Sequence, residues 1–133
     1  MKLSVKSEYA CLALIDLSER LDEGYVKIIS ISERKAIPKK YLEQILLALK
    51  QAGFVKSRMG IDGGYKLAKS PGEITLASVI RLMDGALAPV LSVSEYYYEP
   101  TPVEKSPKLI NVFGEIRNFI SEKLEHTTFA DLV

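Results

Sequence analysis

The stretch from residue 37 to residue 65, IPKKYLEQILLALKQAGFVKSRMGIDGGY, places the strongest constraint on the fold of this chain. Its first half repeats apolar residues at spacings of three and four, as an amphipathic helix does. Pro38 suits the first turn of a helix, where its missing N–H leaves no hydrogen bond unmade. Gly53 suits the left-handed backbone that commonly follows a helix end. We therefore predict a helix over residues 38–51.

A β-hairpin is predicted directly after this helix. Residues 54–59 alternate between apolar and polar or basic side chains, a glycine-rich tip follows, and residues 65–67 form the return strand. Gly63-Gly64 suits any tight hairpin, so the pair is informative mainly through its position after a helix. A second helix is predicted upstream over 28–35. Two helices joined by a short turn and followed by a basic hairpin form a winged helix-turn-helix.

The rest of the chain adds three more helices and one irregular segment. Helices are predicted over 7–21, over 76–84 with Thr75 as its cap, and from Ser106-Pro107 to about residue 125. The prolines and the absence of any periodicity mark the segment between the last two as a loop. We divide the chain into a winged helix-turn-helix region (1–85), an irregular loop (86–107), and a long helix with a C-terminal docking segment (108–133). The fold class is mainly α with a small β-hairpin wing.

The long final helix carries a seam of apolar residues. They recur at spacings of four and three, as they do in a coiled coil. Val112 and Phe119 widen this stripe beyond what one small domain needs to cover, so we predict that part of it meets a second copy of the chain. A purely intramolecular core helix is the alternative. The predicted dimerisation residues are Leu109, Phe113, Ile116, Ile120 and Leu124.

Positive charge is concentrated on the helix and the hairpin. Residues 34–69 contain nine Lys or Arg and only two Asp or Glu, although the whole chain has a formal net charge of +1. A solvated lysine-rich face would explain the count alone. Its coincidence with one compact helix–hairpin unit favours a surface for a polyanion. No apolar run is long enough to cross a membrane and no targeting signal is present, so we expect a cytoplasmic protein.

The chemistry-bearing residues argue against an enzyme and against a metal site. Cys11 is the only cysteine and His126 is the only histidine. One thiol cannot form an internal disulfide, and this pair cannot supply the four ligands of a zinc site. No nucleophile–base set, phosphate-binding loop or paired carboxylates are recognisable. Cys11 lies in an apolar helix, so an inert core thiol is the favoured interpretation.

Individual DNA contacts follow from the chemistry of the exposed helix face. Gln44 suits bidentate recognition of adenine, and Glu43 can accept from cytosine N4 or instead pair with a neighbouring lysine. Lysine and arginine side chains would hold phosphates, as would the Tyr41 hydroxyl unless its ring packs against the preceding helix. The candidate DNA-binding residues are Lys6, Lys39, Lys40, Tyr41, Glu43, Gln44, Lys56, Arg58, Gly63 and Gly64.

These motifs together resemble the Rrf-two family of bacterial winged-helix transcription regulators, which includes the IscR, NsrR and CymR types. The matching pieces cover nearly the whole chain; they are MKLSVKSEYA, ISERKAIPKKYLEQIL, GFVKSRMGIDGGYKLAK, ITLASVIRLMDG and TTFADLV. The resemblance implies a homodimer on a partly palindromic operator, with helix 38–51 in the major groove and wing 55–67 at the minor groove. It also implies that the long helix is the dimerisation helix.

The chain departs from the family pattern where many members bind a cofactor. The resemblance implies a sensor in the loop before the long helix, which in many members carries three cysteines that hold an iron–sulfur cluster. Residues 86–108 contain no cysteine here, and cluster ligation needs several thiolates. No cofactor is therefore expected. The tyrosines of this loop could line an effector pocket or dock a partner, or they could cover the dimer seam; they are Tyr96, Tyr97 and Tyr98.

Two further departures concern DNA contacts. Met59 stands where many members have an arginine directly before the wing glycine, and Arg58 lies one position earlier. Adjacent strand residues point to opposite faces, so Arg58 need not reach the minor groove as the family arginine does. Ser7-Glu8 replaces a common Gly-Arg pair, which could weaken phosphate contacts.

The sequence predicts a dimeric, sequence-specific DNA-binding transcription regulator, most simply a repressor, without an iron–sulfur cluster. A regulator that works mainly by docking a metabolic enzyme or a small-molecule effector is the alternative. Docking alone would not require the positive charge of the helix–hairpin unit, so this charge favours the DNA-binding regulator.

Overall fold

The computed structural model describes all 133 residues. Five α-helices and one two-stranded antiparallel sheet form the fold, and short 3₁₀ turns connect several of them. The elements in chain order are α1 Val5–Glu19, α2 Ile28–Lys35, α3 Lys39–Gln51, β1 Val55–Arg58, β2 Gly64–Leu67, α4 Leu76–Asp84 and α5 Pro107–Glu125. The mainly helical winged fold predicted from the sequence is confirmed.

Helix α1 starts and ends two residues earlier than predicted. The Ser4 hydroxyl accepts a hydrogen bond from the Ser7 N–H at 3.1 Å, so Ser4 is the N-cap and Ser7 lies inside the first turn, buried. Ser4 also bonds the Asp84 carboxylate at the end of α4, with 2.9 Å between the Ser4 N and Asp84 Oδ2. This bond ties the start of α1 to the end of α4.

The hydrophobic core lies beneath α1, which packs against α2, α3 and α4. Helix α3 buries the stripe that its spacing predicts, and all four side chains are nearly fully enclosed. Phe129, from the 3₁₀ turn at residues 129–132, fills the same core. The buried stripe of α3 consists of Leu42, Ile45, Leu46 and Leu49.

An ion pair between a buried carboxylate and a partly exposed arginine fixes α2 against α1. The Asp16 carboxylate on α1 is completely buried and receives two bonds from Arg34 on α2, at 2.8 Å from Nε and 2.9 Å from Nη2. Arg20 adds a third bond at 3.2 Å. The hydrogen bond to Asp16 raises the pKa of Arg34 further above its ordinary value. The charge of Asp16 is therefore compensated inside the fold, as a buried carboxylate requires.

The hairpin is joined to the helix-turn-helix by backbone bonds. Val55 pairs with Leu67 and Lys56 with Lys66 in the antiparallel register of β1 and β2. Val26 forms an isolated bridge with Tyr65, with N–O distances of 2.7 and 2.8 Å. Before α2, Val26 is the only residue that pairs with the hairpin in this way. This bridge holds the hairpin beside the start of α2.

The last seven residues fold back onto the body. Thr128 and Asp131 form a capping box, and the Phe129 N–H donates to the Ile74 carbonyl at 3.0 Å. The Leu76 N–H donates to the Thr127 carbonyl at 2.9 Å. Both bonds anchor the chain end at the start of α4. None of the helices combines the length and apolar character needed to cross a bilayer.

Candidate nucleic-acid interface

Helix α3 turns a polar face away from its buried stripe. Lys39, Lys40, Glu43 and Gln44 are all exposed on it, and Lys39 Nζ lies 3.9 Å from Glu43 Oε1. This loose contact between two half-exposed side chains contributes little to stability. Glu43 therefore pairs with a neighbouring lysine, which was one of the two roles that the sequence allowed. Because the contact is weak, both side chains can turn to other partners at small cost.

Tyr41 lies at the edge of this face and contacts α1. Its ring centre is 6.4 Å from that of Tyr9, with 35° between the ring planes. The alternative reading placed the Tyr41 ring against the preceding helix, α2, whereas the aromatic neighbour comes from α1. The hydroxyl stays accessible, because about half of the residue is exposed.

A cleft between α1 and α3 brings several predicted contacts together. Lys6 and Val5 form its α1 side, and Tyr41 and Gln44 form its α3 side. Lys6 is fully outside the core on the first turn of α1. Lys6 and Gln44 thus line the same cleft from opposite helices, so a phosphate and a base edge could be bound at this one surface.

The outer face of the hairpin holds three cations. Lys56 lies directly opposite Lys66 in the strand register, and Arg58 follows Lys56 on the same face. Like charges directly opposite each other destabilise a strand pair. Neither lysine contacts a carboxylate within 4.0 Å. An anionic partner would remove this repulsion.

Tyr25 organises the cations and is a residue that sequence reasoning missed. The guanidinium carbon of Arg58 lies 4.6 Å from its ring centre, and Lys66 Nζ lies 4.8 Å from it. Cations within about 6 Å of a ring centre are attracted by its quadrupole. The alternation of side chains along the return strand could have placed Lys66 on the same face as the other hairpin cations. No local pattern indicates Tyr25, since it comes from a loop thirty or more positions before its partners.

The hairpin tip is braced by bonds to its backbone. Arg58 Nη2 donates to the Asp62 carbonyl at 3.0 Å, Lys27 donates to the Ile61 carbonyl, and the Gly63 N–H donates to the Gly60 carbonyl at 3.0 Å. Arg58 thus lies along the hairpin, while Met59 projects from the tip.

Both wing glycines are required by close backbone packing. A Cβ on Gly63 would lie 2.1 Å from the Arg58 carbonyl oxygen, and one on Gly64 would lie 2.3 Å from that of Val26. Gly64 also has a φ of +147°. Their evident role is to shape the hairpin, and a contact with DNA through their backbone remains a prediction.

Helix α5 divides its apolar residues between two directions. Ile120 and Leu124 pack against a small cluster formed by Ala77, Ile80 and Leu87. No residue of α5 is buried, and Phe119 is 76% exposed. Leu109 and Val112 are exposed as well, whereas Phe113 and Ile116 are half-buried. The predicted single seam therefore contains residues that already contact the body of their own chain.

The tyrosines of the irregular segment are exposed but individually held. The Arg81 guanidinium lies 4.8 Å from the ring centre of Tyr96 and is also paired with Glu125 on α5. The Tyr98 hydroxyl donates to Glu104 at 2.5 Å, and this hydrogen bond raises the pKa of Tyr98. Tyr96 therefore connects the segment to both α4 and α5.

Comparison with known proteins identifies the family. The model of the Rrf2 family, described as iron-dependent transcriptional regulators, matches residues 3–133. The regulator CymR of Bacillus subtilis is 33% identical over 132 residues, which cover 99% of this chain and 89% of that protein. Its solved structure, described as that of the global cysteine regulator, has a TM-score of 0.80 at 32% identity and covers 99% of this chain and 95% of the other. The structure of IscR from T. potens has a TM-score of 0.77 at 33% identity, with coverages of 99% and 85%.

The iron in the family description does not fit the donors of this chain. Iron–sulfur clusters need several thiolates, and Cys11 is the only cysteine. It lies on α1, where burial and the nearby Asp84 and Glu8 charges raise its pKa to about 11, so the thiol keeps its proton at neutral pH. No group of three or more His, Cys, Asp or Glu side chains converges on one point. The iron chemistry of other members therefore has no ligand set here.

The family match spans every helix and strand of the structure. The helix-turn-helix, the hairpin and the long final helix all fall within the matched residues. The named relatives are transcriptional regulators of the helix-turn-helix type and none is an enzyme. The chain belongs to the Rrf2 family of DNA-binding transcriptional regulators.

Proposed function

We propose that this chain is a dimeric repressor that reads a partly palindromic operator without an iron–sulfur cluster. Helix α3 enters the major groove, and the wing, residues 55–67, follows the adjacent backbone and minor groove. The cations of the hairpin carry the proposal, because Lys56 faces Lys66 across the strand pair with no carboxylate beside either, and a bound phosphate would remove their repulsion.

The cleft between α1 and α3 supports separate roles for base-contacting and phosphate-contacting side chains. Gln44 reads a base edge, and Glu43 releases its loose contact with Lys39 to accept from a second base. Lys6, Lys39, Lys40 and the Tyr41 hydroxyl surround these two side chains and hold phosphates. Lys56 and Arg58 extend the phosphate contacts along the wing.

The exposed stripe of α5 supports the dimer. Leu109, Val112 and Phe119 form an apolar surface on a helix of 19 residues that buries none of them. Leaving such a surface in water is unfavourable, and a second copy of α5 would cover it. In this arrangement Phe113 and Ile116 border the dimer contact, while Ile120 and Leu124 connect it to α4.

In vitro selection from a random duplex library tests the function. We expect enrichment of a partly palindromic site, and a single dimer on that site by analytical ultracentrifugation. A Phe119→Asp variant should be monomeric and should bind the selected duplex far more weakly. The proposal is wrong if no sequence is enriched at low salt, or if the Phe119→Asp monomer binds as tightly as the wild type. Repression is tested by placing the selected site in a reporter promoter.

The loop at residues 86–107 is the proposed place for a signal to act. Tyr96 contacts Arg81, and Arg81 pairs with Glu125, so an effector or partner enzyme that displaced Tyr96 would disturb the contact between α4 and α5. Substituting Tyr96 by alanine should then change operator affinity in the absence of any effector. Equal affinity would argue against a signalling role for this contact.

A further inference from the structure

The hairpin tip exposes two large apolar side chains. Met59 is 93% and Ile61 is 89% exposed, the two highest values among the large hydrophobic residues of this chain. Single exposed apolar residues are ordinary, whereas here two large ones lie at one loop tip. The tip is also far from the core, so neither side chain stabilises the fold in the form observed here.

The tip is held in place before any partner binds. The Ile61 carbonyl is bound by Lys27, the Asp62 carbonyl by Arg58 at 3.0 Å, and the Gly60 carbonyl by the Gly63 N–H at 3.0 Å. Gly63 lies so close to the strand before it that a Cβ would overlap the Arg58 carbonyl. A braced tip loses less conformational entropy on binding than a free loop.

Four cations lie beside this apolar tip, and Asp62 is the only acidic residue of the hairpin. Lys56, Arg58 and Lys66 lie on the adjoining strand face, and Lys27 reaches the tip from the start of α2. A partner for this surface must therefore combine dense negative charge with apolar walls. The minor groove of DNA does so, because deoxyribose rings line it between two rows of phosphates, and methionine and isoleucine are among the side chains that insert there.

We propose that Met59 and Ile61 form an apolar minor-groove element, with the surrounding cations on the two phosphate rows. This inference rests on the proposed function, since it assumes that the wing meets DNA. It assigns the groove contact to the tip side chains, while Arg58 lies along the hairpin and braces it. The element contributes affinity through buried apolar area, which releases no counterions.

A comparison of salt dependence and footprint tests the inference. The probe is the duplex selected with the wild-type protein, and the variant is Met59→Ser combined with Ile61→Ser. Hydroxyl radicals attack the sugars of the minor groove, so we expect wild-type protection at the flanks of the site that the double variant loses. Affinity should fall about ten-fold, as expected for the loss of two partly buried apolar side chains. The slope of log affinity against log salt should stay unchanged.

Two control variants distinguish the effect of the tip side chains from that of a neighbouring cation and from that of an apolar residue elsewhere. Lys56→Ala should lower the salt slope by about one and keep the flanking protection. Val133→Ser removes an exposed apolar side chain outside the helix-turn-helix and the wing, and it should change neither the salt slope nor the footprint.

Three results would overturn the inference. The first is a double variant that keeps wild-type affinity and footprint, as a tip that docks another protein would. The second is a salt slope that falls with the tip substitutions, which would mean that the tip only places the cations. The third is a wild-type protein that binds the duplex without protecting flanking sugars. A wild-type protein that binds no duplex at all would instead refute the proposed function.

Discussion

Arg58 lies over the ring of Tyr25, with 4.6 Å between the guanidinium carbon and the ring centre. This contact joins the wing to the loop before α2 and keeps the guanidinium from moving freely in solvent. Lys66 shares the same ring at 4.8 Å. Two of the three cations of the wing are thus positioned by one aromatic side chain.

Removing the Tyr25 ring should weaken DNA binding. Tyr25→Ala frees both cations, and exposed cation–π contacts contribute about 0.5–1 kcal/mol, so we expect affinity for the selected duplex to fall two- to five-fold, roughly. Tyr25→Phe keeps the ring and should bind as the wild type does. Fluorescence anisotropy measures both. An equal loss in both variants would point to the hydroxyl group instead of the ring.

Gln44→Ala should relax the reading of one base pair. The loss of a bidentate contact costs about 1–3 kcal/mol on the preferred duplex. On duplexes altered at that single position the variant and the wild type should bind alike. Competition binding against a set of single-base variants measures this. A uniform loss on every duplex would contradict a base-reading role.

Lys40→Ala should weaken binding to all duplexes equally. One lost phosphate contact lowers the salt slope by about one. Lys108→Ala, which removes an exposed lysine at the start of α5, should leave the slope at its wild-type value. Titrations at several salt concentrations compare the two. If the slope of the Lys40 variant does not change, this lysine makes no phosphate contact.

Asp16→Ala should destabilise the fold more than any surface ion-pair variant. The buried carboxylate accepts hydrogen bonds from Arg34 and Arg20, and a hydrogen bond to a charged group contributes about 1.5–3 kcal/mol. Arg34 is exposed and stays solvated in the variant, so no buried charge is left unpaired and we expect a loss of about 2–3 kcal/mol. Glu19→Gln removes a partly exposed partner of Lys35 and Arg20 and should cost less than about 1 kcal/mol. Urea unfolding of both variants provides the test; similar losses would mean that Asp16 is not uniquely important.

Cys11 should react slowly with thiol reagents in the folded protein. Its pKa is raised from 9.0 to about 11, so the thiolate fraction at pH 8 falls about a hundred-fold relative to the unfolded chain. Partial burial lowers the rate further. Ellman's reagent with and without urea measures the difference. Equal rates in the two conditions would show that the α1 environment does not protect the thiol.

Periodic apolar patterns predicted most of the helices. The bounds of α2 agree with the prediction, as does the buried stripe of α3, because three- and four-residue spacing determines which side faces the core. The start of α1 was misplaced, since Ser4 and Ser7 both suit a cap and only the bond to Asp84 distinguishes them.

Contacts between distant segments could not be predicted in this way. Tyr25 meets Arg58 only because the Val26–Tyr65 bridge brings the loop beside the hairpin. The sequence predicts that only part of the α5 stripe meets another subunit, but spacing alone does not say which apolar residues contact α4 instead. Candidate contacts on α3 could be named from residue chemistry, but the cleft they share with Lys6 depends on how α1 packs.

The position of Phe129 has a consequence for how the protein is synthesised. This ring is fully buried in the core that α1, α2 and α3 share, although it lies four residues from the end of the sequence printed here. A nascent chain that has emerged only through the wing and α4 lacks this ring, and an empty site of that size costs about 3–5 kcal/mol. The helix-turn-helix and the wing should therefore gain their full rigidity only after α5 has emerged from the ribosome. The ability to bind DNA and the ability to dimerise through α5 would then arise at the same stage of synthesis.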